Sequence, residues 1–85
     1  ENNIVLTDVR EGKMSIYPNP AESVVQISIT DQPKSIRIFN MAGKLMQIPV
    51  DLYLNTIDVS SLESGMYIIQ VETEDDAFSL KLIKI

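Results

Sequence analysis

The sequence predicts an all-β domain, an immunoglobulin-like Greek-key β-sandwich of about seven antiparallel strands. Three observations carry that expectation. Short runs of alternating apolar and polar residues recur at intervals of about ten residues, separated by turn chemistry. Ile, Val and Leu dominate the apolar residues, while aromatics are few and Trp is absent; β-branched side chains of this kind suit a pleated, half-buried surface. No window sustains a helical period, and no internal repeat is present.

The elements follow in order. Residues 1–13 are polar and read as the linker from a preceding domain, with Ile4-Val5-Leu6-Thr7 as an embedded edge strand. The start at Glu1 without Met fits a segment of a longer protein, and residues 14–85 form the folded domain. Ser15-Ile16-Tyr17 is a strand stopped by Pro18, which cannot donate to a ladder, and Pro20 prolongs the break. Val25, Ile27 and Ile29 alternate with Gln26, Ser28 and Thr30, which predicts a strand with one buried face. Asp31-Gln32-Pro33 turns the chain into a strand in which Ile36 and Ile38 alternate with Ser35, Arg37 and Phe39 and which ends at Asn40.

Asn40-Met41-Ala42-Gly43 is the clearest hairpin signal: Asn suits the first position of a type I turn, and Gly43 takes the left-handed position after it. Leu45 to Ile48 is expected to return as a strand, broken by Pro49. Thr56-Ile57-Asp58-Val59 is a further short strand. Met66 to Thr73 and Ala77 to Ile85 are the longest, joined through Glu74-Asp75-Asp76. Tyr67, Ile69 and Val71 share one face of the first. Phe78, Leu80 and Leu82 share a face of the second, with Ile83 and Ile85 opposite.

Composition excludes several classes. With 85 residues there is room for one small domain. Twelve acids against seven scattered bases argue against nucleic acid as a partner. Without His or Cys, neither Ser-His nor Cys-His nucleophiles nor thiolate metal sites can form. The three glycines are isolated, so no phosphate loop is present. No enzyme, cofactor or metal is expected. Glu72, Glu74, Asp75 and Asp76 lack the spacing of a calcium loop and read as a solvated hairpin tip. No apolar run approaches the ~20 residues of a membrane-spanning helix.

Two motifs argue fold. Leu62-x-x-Gly65-x-Tyr67 matches a tyrosine corner, in which a Tyr near the start of a late strand bonds its hydroxyl to backbone a few residues upstream. Gly65 would let the chain turn sharply before that strand. Tyr17-Pro18-Asn19-Pro20 reads as a rigid turn in preference to a recognition loop, because both prolines fix the chain and Asn19 tolerates turn dihedrals. A third motif, Lys81-Leu82-Ile83-Lys84-Ile85, is the last strand, with Lys81 and Lys84 expected as surface charges. Its two partly apolar faces and expected open edge invite pairing with another chain, by strand addition to a receptor or by a strand-swapped dimer.

Taken together, Ile16-Tyr17-Pro18-Asn19-Pro20-Ala21, Asn40-Met41-Ala42-Gly43-Lys44, Ile57-Asp58-Val59-Ser60-Ser61-Leu62, Ser64-Gly65-Met66-Tyr67 and Lys81 to Ile85 resemble the C-terminal sorting domain of the type IX secretion system of Bacteroidetes. The resemblance covers residues 14–85. It implies an export label that directs an upstream, covalently attached cargo through the periplasm and across the outer membrane to the cell surface or medium. The implied partners are the type IX machinery in the outer membrane and a sortase-like peptidase. That peptidase would remove the label near or before residue 13, and the cargo is often joined to anionic lipopolysaccharide. The resemblance places the signal at Lys81, Leu82, Ile83, Lys84 and Ile85, with Gly65 and Tyr67 fixing the strand alongside. The alternative is a fibronectin-like or carbohydrate-binding module of a secreted protein, drawing on Tyr17, Phe39, Tyr53, Tyr67 and Phe78. A passive spacer is a third reading.

Overall fold

The computed structural model describes residues 14–85; the linker and the Ile4–Thr7 strand expected within residues 1–13 lie outside the described residues. Among the described residues, seven strands follow one another: β1 (Met14–Tyr17), β2 (Val24–Ile29), β3 (Ser35–Asn40), β4 (Val50–Asp51), β5 (Thr56–Asp58), β6 (Gly65–Glu72) and β7 (Ala77–Lys84). They form a four-stranded sheet in the order β1-β2-β5-β4 and a three-stranded sheet in the order β3-β6-β7. All pairings between these strands are antiparallel. First, second, fifth and fourth strands in one sheet and third, sixth and seventh in the other is the immunoglobulin constant-type arrangement.

The period of two accounts for both inner faces. Val25 and Ile27 of β2 point inward, and Val25 lies beside Ile57 of β5. In the second sheet, Ile36, Val71 and Phe78 form one inner row, and Ile38, Ile69 and Leu80 form the next. A slip of one residue in β3 would put Arg37 in the core and Ile36 and Ile38 in solvent, so the register is strongly specified. Val25, Ile27, Ile38, Ile57, Ile69, Val71 and Leu82 are fully buried, and each contributes roughly 1.5–3 kcal/mol of hydrophobic stabilisation.

The turn after β3 forms as its residues dictate. Gly43 N–H donates to the Asn40 carbonyl at 2.9 Å, and Gly43 has φ +87°. The Asn40 side-chain oxygen accepts from the N–H groups of Ala42 and Lys44, both at 2.9 Å. Leu45 to Ile48, however, is not a returning strand. It holds to β3 through one bridge, Leu45 to Phe39, and the bond from Met46 N–H to the Ile38 carbonyl. The segment then crosses to the other sheet, where β4 begins after Pro49. The crossing lets Met46 and Ile48 pack against the core, an outcome that alternation within one hairpin does not encode.

The passage from β1 to β2 begins and ends in the four-stranded sheet but reaches the other sheet on the way. The Tyr17–Pro18 and Asn19–Pro20 peptide bonds are cis. Beyond them the buried Ala21 forms a parallel bridge with Lys84 of β7. The opening segment therefore touches both sheets, β2 through β1 and β7 through Ala21.

Candidate functional site

The site is built around β7 and the elements that hold it. On one side lies β6, in continuous register from Gly65 beside Lys84 to Glu72 beside Ala77. β6 is anchored at its start by a tyrosine corner. The buried Tyr67 donates its hydroxyl to the Glu63 carbonyl at 2.7 Å, which satisfies a phenol that burial would otherwise leave unpaired. Gly65, two residues earlier, has φ +152°. A side chain there would find open space, so the backbone conformation alone selects glycine.

Along β7, Phe78 and Leu82 are buried and Leu80 is half-buried against the core. Lys81 is exposed, and Ile83 and Ile85 remain 40% and 56% accessible on the outer face. Met66, also exposed, lies beside Ile83, and Ile68 lies beside Lys81. Lys84 differs from the expectation of a surface charge. It follows Leu82 by two, shares its inward face and is only 8% accessible, with Nζ donating to the Ile85 carbonyl oxygen at 3.0 Å. Its stem packs as hydrocarbon while its ammonium reaches the margin of the sandwich. Of the five expected signal residues, the strand thus presents Lys81, Ile83 and Ile85 outward and turns Leu82 and Lys84 inward.

The outer edge of β7 also departs from the sequence reading, which left it open. The Asn19 carboxamide lies against it, donating from Nδ2 to the Lys81 carbonyl at 2.9 Å and accepting from Ile83 N–H on Oδ1 at 3.0 Å. Ala21 continues the contact: its N–H donates to the Ile83 carbonyl at 2.8 Å, and its carbonyl accepts from Ile85 N–H at 2.9 Å. Pro18-Asn19-Pro20 is therefore more than a turn. The role of Asn19 lay outside the reach of local pattern, since its partners are 62 and 64 residues away. The available hint was an Asn between two residues that have no N–H of their own.

Elsewhere the acidic residues serve local structure, through backbone or side chain. In the β6–β7 turn, Thr73 N–H donates to the Asp76 carbonyl at 2.8 Å and Asp76 N–H to the Thr73 hydroxyl at 3.1 Å. Glu72 accepts from Ser35 at 3.2 Å and pairs with Arg37 at 3.5 Å on the exposed face. Asp58 accepts from the Ser60 hydroxyl at 2.6 Å and the Ser60 N–H at 3.0 Å, and these two bonds hold its carboxyl below the usual carboxylate range. Among the described residues, no three carboxylates converge on a metal position.

The fold and this edge define a small immunoglobulin-type module whose most specialised element is a clasped last strand. Residues 15–85 match the family model for the secretion system C-terminal sorting domain, and the chain belongs to that family. Such a domain is a sorting signal for type IX secretion, which delivers proteins to the cell surface or the medium. The chain is also similar to Beta-agarase D of Zobellia galactanivorans, with 39% identity over 59 residues. That alignment takes in 69% of this chain and 12% of the relative, so the chain spans about an eighth of the relative's length.

Proposed function

We propose that residues 14–85 act as the whole sorting label of a larger exported protein, with residues 1–13 as the junction to its cargo. The type IX machinery then reads the label through β7, at Lys81, Leu82, Ile83, Lys84 and Ile85. The observation that carries this reading is the division of labour along the strand. Leu82 and Lys84 fix it to the sandwich, leaving Lys81, Ile83 and Ile85 as an ordered row of side chains facing outward. Alternate side chains held on a rigid strand give a receptor identity without an ordering cost at the moment of binding. Gly65 and Tyr67 support the row by setting the strand beside it.

The domain contributes no catalysis in this reading. The cargo passes through the periplasm, and a sortase-like peptidase removes the label at the junction after transfer across the outer membrane. A strand-swapped dimer would require β7 to leave Asn19 and Ala21 as well as β6 and to re-form those bonds on a second copy.

The test is a fusion of residues 14–85 to the C-terminus of a signal-peptide-bearing reporter in a host with type IX secretion. The reporter should reach the surface or medium, and removal of Lys81 to Ile85 should leave it in the periplasm. Periplasmic retention of the intact fusion, with the domain folded, would refute the reading.

A further inference from the structure

Over residues 81–85, the edge of β7 that would accept another strand is already filled from within the chain. A strand added there would bond to the outward-pointing groups of alternate residues. Four of these groups, the Lys81 carbonyl, the Ile83 N–H, the Ile83 carbonyl and the Ile85 N–H, are taken by Asn19 and Ala21. A side-chain carboxamide has the same donor and acceptor as a peptide group. Asn19 therefore occupies the place of one peptide unit in a neighbouring strand, and the Ala21 backbone supplies the next bonds. Pro18 and Pro20 on either side bring no N–H groups of their own, and proline is one of the devices that blunt sheet edges.

We propose that Asn19 is a positioning residue that closes the edge of β7 against strand addition over residues 81–85 and holds them in register. An incoming strand would exchange these four bonds for four of the same kind while losing its own conformational freedom. Strand addition over residues 81–85 is thus disfavoured, and a partner meets Lys81, Ile83 and Ile85 as side chains on the outer face of the sheet. This inference goes beyond the export reading and does not depend on it.

Amide hydrogen exchange on the chain and two variants tests it, together with binding of an end-blocked peptide copying residues 79–85. In Asn19→Ala, exchange at Ile83 should accelerate about tenfold or more while the central β6 amides of Ile69 and Val71 are unchanged. Asn19→Asp keeps the acceptor for Ile83 N–H but sets a second oxygen against the Lys81 carbonyl, so protection at Ile83 should fall between those of the native chain and Asn19→Ala. The peptide should bind Asn19→Ala, in which the Lys81 carbonyl and the Ile83 N–H are released, more tightly than the native chain. Three outcomes would overturn the proposal: equal Ile83 exchange in the native chain and Asn19→Ala, acceleration spread equally over Ile69 and Val71 in both variants, or equal peptide binding by the native chain.

Discussion

The Tyr67 hydroxyl donates to the Glu63 carbonyl, four residues earlier, at 2.7 Å, closing a loop at the start of β6. The bond ties the connection from β5 to the strand that lies between β3 and β7, so it braces the sheet that carries the outward row. Removing the hydroxyl leaves the Glu63 carbonyl without this donor. Tyr67→Phe should therefore keep the fold and lose about 0.5–2 kcal/mol, read as a lower urea midpoint with an unchanged slope. An unaltered midpoint would remove the corner from the account.

Gly65 makes a separable contribution. Its φ of +152° disfavours any side chain, although nothing lies within 4 Å of where a Cβ would stand. Gly65→Ala should cost about 1–3 kcal/mol through backbone strain alone. Because the space is open, Gly65→Val should cost a similar amount; a much larger loss for Val would point to steric conflict instead.

Inner and outer residues of β7 should separate cleanly. Leu82→Ala removes a fully buried side chain and should lower stability by about 2–5 kcal/mol. Ile83→Thr, on the exposed face and still β-branched, should change it by less than about 1 kcal/mol. Equal losses in chemical denaturation would contradict the assignment of faces.

Asp58 gives a pH signature. Its folded-state carboxyl is held below its ordinary value by the bonds from Ser60. The charged form is thus favoured by folding. The stabilisation is present above the unfolded pKa of about 3.9 and is lost as pH falls through the lower folded value. Asp58→Asn should flatten the fall of stability below about pH 4. A thermal denaturation series in which both proteins lose stability in parallel would contradict this.

Much of the fold was legible because alternation dictates it. Val25, Ile27, Ile36, Ile38, Ile69 and Val71 sit inward where a period of two places them. The corner was legible too, since Gly65 and Tyr67 stand at motif spacing. Leu45 to Ile48 misled because a crossover that buries Met46 and Ile48 has the same local composition as a returning strand. Lys84 misled in another way: its charge suggested solvent, while its position two residues after Leu82 pointed inward, and position prevailed. Asn19 was unreadable as a clasp because no local pattern records a side-chain bond across most of the chain.

The burial of Lys84 decides which experiment bears on recognition. Charge reversal there would disturb packing, whereas Lys81 and Ile83 lie on the outer face. The decisive measurement is the exported fraction of a reporter fused to residues 14–85 carrying Lys81→Glu with Ile83→Thr, alongside the melting temperature of the isolated domain. Export should fall about tenfold, the effect of losing roughly 1.4 kcal/mol of recognition, while the melting temperature falls by no more than about 4–8 °C. Export at the native level by this double variant would contradict the claim that β7 is read through its outward side chains.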